Sequence, residues 1–284
     1  MLRARLAGEP GIDLQPAPLV PLDAIELAHD PAYVQGILQG SLPAAAMRRI
    51  GFPWSQGLVD RSLASTGSTL RCAFEAMETG IAGGLSGGTH HAFRAAGSGF
   101  CVFNDIAIAI LALRRDGVAQ RAGVVDLDVH QGDGTAAIFA DDPAVFTFSM
   151  HGANNFPFRK QKSSLDVELP DGTGDDEYLS LLRRSLDSVW SFHPDIVFYQ
   201  CGVDALATDR LGRLGMTPAG LEQRDRLVME SSWQRGIPLV LTLGGGYSQP
   251  IEATVDAHAT TFRLAAQYVN RRSWGNYCSS QVLS

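Results

Sequence analysis

Three aspartates and a histidine crowd the end of an apolar run in "GVVDLDVHQGDGT", residues 123–135. Val124, Val125, Leu127 and Val129 have the composition of a buried strand. Asp126, Asp128, His130 and Asp133 are costly to bury unless a cation or hydrogen-bond donors receive them. Asp128 and His130 stand two residues apart, so at the end of a strand both reach one ion. A carboxylate and an imidazole make half of a zinc site. A third ligand and an open position for water complete a catalytic one. "GVDALATDRLGRLG", residues 202–215, offers Asp204 and Asp209 for the third place. Capping a helix is the plainer role for either.

Two further stretches carry chemistry. "GGTHHAF" places His90 and His91 side by side, and adjacent residues of an extended segment point apart. They suit acid–base work if a carboxylate orients each ring, and Asp126 and Asp133 are available for that. In "LTLGGGYS" three glycines let the backbone approach a ligand closely, and Tyr247 follows them. The run lacks the Lys-Ser/Thr of a phosphate loop and the spacing of a dinucleotide fingerprint. A tyrosine hydroxyl there can donate to a developing oxyanion.

The elements that must position these groups read as α/β. "AGVVDLDVH", "AVFTFSMH", "DIVFYQCGVD" and "PLVLTLGGGY" are strand candidates, alternating with helical stretches such as "NDIAIAILALRRDG" and "DDEYLSLLRRSLDSVWSF". That alternation predicts a parallel sheet covered on both faces. In such sheets the ligand site lies beyond the carboxyl ends of the strands. The four strand candidates end at His130, His151, Asp204 and Tyr247, four chain-distant groups on one rim.

Composition agrees with one globular domain. The chain has 284 residues, 45% hydrophobic and 19% charged, with a net charge of −7. No long basic run occurs, so a nucleic-acid partner is not expected. Cys72, Cys101, Cys201 and Cys278 form no paired spacing, which suits a reducing, cytoplasmic setting. No signal core or membrane-spanning stretch is visible.

With these residues in hand, the chain resembles the zinc-dependent histone deacetylase family, which includes acetylpolyamine amidohydrolases and acetoin-utilisation-type proteins. The resemblance rests on "GGTHHAF", "GFCVFNDIAIA", "VVDLDVHQGDGTAAIF", "FSMH", "GVDALATDRLGRL" and "LGGGYS", in family order over nearly the whole chain. Gln131, in "HQGDGT", resembles bacterial and class IV-like members. The resemblance implies an arginase/deacetylase-like three-layer α/β/α fold with a mainly parallel sheet, as a single catalytic domain over residues 1–284. It implies zinc, or Fe2+ in the cell, on Asp128, His130 and Asp209, with Asp204 outside the ligand set. It implies His90 and His91 as an acid–base pair backed by Asp126 and Asp133, and Tyr247 as the donor that polarises the acyl carbonyl. Gly99, Phe100, Phe156 and Gly245 would contact substrate. A structural potassium ion would use Asp126, Asp128, His130, Ser149 and Met150, and a weaker monovalent site would lie near Phe139, Asp142 and Val145. The substrate implied is an acylated lysine in a protein or peptide, or a small acyl-amine such as an acetylpolyamine. The oligomeric state stays open, a homo-oligomer included.

Three departures accompany the resemblance. Family members open with a strand that this sequence does not show, and a tunnel-floor arginine goes with it. The strand expected around "DLQPAPLV" would then lack a neighbour inside the sheet. Pro53 stands where many eukaryotic members have a substrate-clamping aspartate, and Arg210 where proline is frequent. An arginase-type dimanganese hydrolase shares the fold but would leave Tyr247 without a role. A non-catalytic acyl-lysine-binding scaffold is the remaining alternative.

Overall fold

The computed structural model describes residues 1–269, so Cys278 lies outside the described residues. Its centre is a six-stranded sheet of β1 (Ile81–Gly83), β2 (Ala122–Asp126), β3 (Val145–Gly152), β4 (Leu165–Leu169), β5 (Ile196–Gln200) and β6 (Leu239–Thr242). The order is β1-β6-β5-β2-β3-β4, and all neighbours run parallel. The four apolar runs picked out in the sequence became β2, β3, β5 and β6. Side chains alternate between two cores, as a pleated strand requires. Val125, Tyr199 and Leu241 pack with Leu182, Val228 and Phe262 on one face. Val124, Phe198 and Val240 pack with Ala73, Ile106 and Ile110 on the other. Burial of each such side chain contributes roughly 1.5–3 kcal/mol.

The described helices are α1 (Leu2–Leu6), α2 (Leu22–Ala28), α3 (Pro31–Gln39), α4 (Ala44–Ile50), α5 (Gln56–Thr79), α6 (Asp105–Arg115), α7 (Asp133–Ile138), α8 (Asp175–Ser191), α9 (Pro218–Gln234) and α10 (Ile251–Val269). Helices α5 and α6 cover the second face, while α8, α9 and α10 cover the first. Asn104 caps α6, its side-chain oxygen accepting from the Ala107 amide at 3.0 Å.

Two strands escaped the sequence reading. β1 is three residues long, and β4, "LDVEL", is a half-exposed edge strand with weak apolar character. In the other direction, residues 13–20 form no strand. Pro16 and Pro18 have no amide hydrogen to give a ladder. The segment lies along α5 instead: the Val20 amide donates to the Leu63 carbonyl at 3.1 Å. It also crosses Gly67 so closely that an added Cβ would meet the Pro18 carbonyl at 2.1 Å. The described sheet runs without a gap from β1 to β4, so the expected unpaired interior edge is not found.

Candidate active site

β2 ends at Asp126, and the chain then turns across the carboxyl edge of the sheet through Asp128 and His130. Asp204 arrives from the segment after β5, and Gly245 and Tyr247 from the segment after β6. A cavity of about 770 Å³ opens above them. It is lined by both tandem histidines, Asp128, His130, Asp204, Gly245 and Tyr247, with Gly99, Phe100 and Phe156 on its walls. His151 does not join them: it is buried, with Nδ1 2.9 Å from Ser149 Oγ.

The tandem histidines sit on a turn rather than an extended segment, so their rings do not point apart as expected but approach to 4.1 Å between centroids, and each holds a separate carboxylate. His90 Nδ1 lies 2.6 Å from Asp126 Oδ2, and His91 Nδ1 lies 2.6 Å from Asp133 Oδ1. A carboxylate on Nδ1 fixes the tautomer and leaves Nε2 for other work. The wall residues confine His91 further. Gly99 has φ +53, and a Cβ there would come within 2.6 Å of His91 Cδ2. The Phe156 ring meets His91 edge-on at 5.0 Å between centroids.

Ligand-type atoms of Asp128, His130 and Asp204 all lie within 4.8 Å of one another. His130 Nδ1 is 2.9 Å from Asp128 Oδ1 and 3.2 Å from Asp204 Oδ2. Both carboxylates are buried, and Asp204 Oδ2 has no hydrogen-bond partner. Their other oxygens are tied down: Asp204 Oδ1 accepts from the Val129 amide at 2.9 Å, and Asp128 Oδ2 from the Gly245 amide at 2.8 Å. A Cβ on Gly245 would sit 2.1 Å from Asp204 Oδ2, so only glycine fits this cradle. Two buried carboxylates, one imidazole and an orphaned oxygen are a donor set suited to a divalent cation.

Asp209 is not part of this group, which corrects the ligand set expected from sequence. Its Oδ1 accepts from the Leu211 and Gly212 amides at 2.8 and 2.9 Å, and its Oδ2 from the Tyr247 amide at 2.5 Å. Those bonds occupy the carboxylate as the organiser of its own loop and of the tyrosine segment.

A histone deacetylase domain model matches residues 3–262. The chain belongs to the histone deacetylase family. It is 51% identical over 242 residues to an uncharacterized protein of Picosynechococcus sp. (strain ATCC 27264 / PCC 7002 / PR-6), covering 85% of this chain and 81% of that protein. It is 37% identical to histone deacetylase 2 of Arabidopsis thaliana over 64% of this chain and 48% of that one. It is 35% identical to histone deacetylase 8 of Xenopus laevis, over 70% and 64% of the two chains. The chain thus spans about half the length of the plant relative and just under two thirds of the frog one. A solved histone deacetylase homolog complexed with SAHA superimposes with a TM-score of 0.77 at 27% identity, covering 93% of this chain and 76% of the other. Among the described residues no helix is long and apolar enough to cross a membrane.

In this histone deacetylase family member the local field separates the ionisable groups. Burial pulls His90 down, but the charge and hydrogen bond of Asp126 outweigh it and hold the imidazole up at about 9. Burial and the neighbouring His90 charge push His91 down to about 4, against Asp133. Burial and then the Asp128 charge raise Asp204, the response of one carboxylate forced beside another. Burial raises the Tyr247 phenol well above its usual range, so its hydroxyl keeps its proton.

Sequence reading missed the groups that hold this site from behind. Asp105, the first residue of α6, accepts from the Gly88 and Thr89 amides at 2.8 and 2.7 Å and fixes the turn before His90. Arg224 of α9 is fully buried beneath the cluster. It donates to the Gly202 carbonyl at 2.6 Å and the Leu127 carbonyl at 3.4 Å, one bond to the segment that carries Asp204 and one to the segment that carries Asp128, and pairs with Asp225 at 2.7 Å. The available signal was an Arg-Asp pair, Arg224–Asp225, within an otherwise amphipathic helix.

Proposed function

We propose that this family member is a zinc-dependent hydrolase of N-acyl amides, acting on Nε-acyl-lysine. The observation that carries the reading is the convergence, around one cavity, of the Asp128–His130–Asp204 group, two carboxylate-backed histidines and Tyr247. Asp128, His130 and Asp204 would hold the zinc, which when bound supplies a Lewis acid and lowers the pKa of a bound water from about 15.7 to near 7. Asp126, Asp128, His130, Ser149 and Met150 stay the proposed holders of a structural potassium ion. Asp126 and Ser149 are register partners across β2 and β3.

The chain's own groups then have distinct tasks. His91 is neutral at physiological pH, and its Nε2 accepts the proton of the attacking water. Asp133 holds the tautomer and stabilises the imidazolium that results. Tyr247 donates its hydroxyl hydrogen to the acyl oxygen as negative charge develops there. An imidazolium returns a proton to the departing lysine nitrogen, which makes it an amine leaving group. Gly99, Phe100 and Phe156 narrow the approach, as a thin aliphatic arm requires.

The test is turnover of an Nε-acetyl-lysine peptide, a long-chain acyl-lysine peptide and acetylspermidine by purified protein. Chelation should abolish hydrolysis, and zinc should restore it. Hydrolysis that is indifferent to chelation, or no hydrolysis of any acyl amide with zinc present, refutes the reading.

A further inference from the structure

Around the cavity mouth the charge reverses that of the protein as a whole. The chain carries −7, yet Arg48, Arg49, Arg61 and Arg213 line the opening, and all four are exposed. The carboxylates that line the same cavity, Asp128 and Asp204, are buried. Arg48 and Arg49 close α4 (Ala44–Ile50), and Arg61 projects from the second turn of α5. Arg48, Arg49 and Arg61 make no ion pair among the described residues. Arg213 has one, to Asp171 at 3.4 Å, and both side chains are about half exposed, so water and salt screen it.

Two of these arginines are pre-positioned. Arg49 Nε donates to the Gly97 carbonyl at 3.1 Å, and its two terminal nitrogens make no hydrogen bond among the described residues. Arg61 stands over the Phe52 ring, 4.8 Å from its centroid. A guanidinium whose stem is held loses less freedom on engaging a carboxylate, and its planar fork matches one bidentately. A polycation gains nothing at such a rim and is repelled by it.

We propose that the rim selects acyl-lysine carried in an acidic peptide segment, with Asp or Glu flanking the acylated lysine, and disfavours acetylated polyamines. The proposal rests on the deacylase reading for what enters the cavity and adds what lies outside it. Arg48 and Arg61 would take carboxylates on one side of the acyl-lysine, and Arg213 one on the other.

The experiment compares three acetyl-lysine peptides, identical except for Asp, Ala or Lys at the flanking positions, with acetylspermidine as a fourth substrate. Both kcat/KM and equilibrium binding by fluorescence anisotropy are measured at low and high ionic strength. The expected order is Asp above Ala above Lys, with about a five- to tenfold step from Ala to Asp carried in KM, as a few exposed ion pairs allow. High salt should compress the steps. Arg48→Glu combined with Arg61→Glu leaves two arginines against two glutamates at the rim and should flatten the order, and an unchanged melting temperature would show that both exposed sites tolerate the change. Equal kcat/KM across the peptides, or preference for the Lys peptide or acetylspermidine, overturns the proposal. Absence of hydrolysis together with tighter binding of the Asp peptide would instead refute the deacylase reading and leave the rim standing.

Discussion

His90 and His91 face each other with ring centroids 4.1 Å apart, yet their Nδ1 atoms lean on different carboxylates. Two imidazolium ions at that separation repel, so one proton is held and the other is excluded. Asp126 stabilises the charge on His90, and His91 is left neutral beside it. Adjacent residues of one chain thereby become a cation and a neutral imidazole.

His91, the proposed base, is the group whose loss should cost most without disturbing the proposed metal. His91→Ala should lower kcat by roughly 10²–10⁴, the usual contribution of a positioned acid–base group. Zinc content by atomic absorption should equal that of the parent. Asp133→Asn should act in the same direction, because an amide no longer holds the tautomer. Loss of zinc from His91→Ala in a folded protein would place that imidazole among the ligands.

Asp204 and Asp209 should separate cleanly. Asp204→Ala should remove zinc and turnover together. Asp209→Ala should keep near-stoichiometric zinc and lose activity through a disordered Tyr247 segment, whose amide it now receives. The opposite pattern of metal content would return Asp209 to the ligand set.

The contrast shows what the sequence could carry. Strands with long apolar runs were legible because burial on both faces leaves a continuous mark. β4 was not, because an edge strand with Asp166 and Glu168 has little to bury. The histidine–aspartate pairs were legible as a need for carboxylates near imidazoles, and the geometry met that need. The choice between Asp204 and Asp209 was not legible, because both follow β5 within nine residues and each had a plausible task. Backbone direction decides it: Asp204 is still at the sheet edge, whereas Asp209 has turned back onto the amides of its own loop. Arg224 was hidden for another reason. Apart from Asp225, its partners are backbone carbonyls, which leave no trace in residue identity.

Tyr247→Phe removes one oxygen from a half-buried side chain, so folding should survive. The expected loss is roughly 10²–10³ in kcat, the contribution of one oxyanion donor. A variant within about threefold of the parent would show the tyrosine to be a packing residue.

Arg224 should act on the metal without touching it. Its bonds to the Gly202 and Leu127 carbonyls hold the two segments that carry Asp204 and Asp128. Arg224→Met leaves Asp225 buried without its cation, at a cost of about 3–5 kcal/mol. It should also weaken zinc binding about 10–100-fold, as the loss of groups supporting metal ligands does. Arg224→Lys should recover part of both. Zinc competition against a chromophoric chelator is the deciding measurement. Reduced stability with unchanged zinc affinity would confine Arg224 to the fold.

The acid limit of stability should lie partly with His29, which does not line the cavity. Its ring is fully buried, with Nδ1 3.2 Å from the Arg94 carbonyl and Nε2 accepting from the Asn104 amide at 2.8 Å. That pattern requires a neutral ring, and burial lowers its pKa from 6.5 to about 4. Between those values the unfolded chain binds a proton that the folded chain refuses. Stability from this group is therefore complete above pH 6.5 and is lost as pH falls toward 4, by about 3 kcal/mol over the window. His151 and His258, also lowered by burial, add slopes of the same sign. His29→Gln keeps an acceptor that does not titrate. Urea unfolding at a series of pH values, with zinc held constant, should show a slope shallower by about one proton in the variant. Superimposable slopes for parent and variant would mean that His29 protonates as readily in the folded protein as in the unfolded chain, and that its bond to Asn104 does not govern the acid transition.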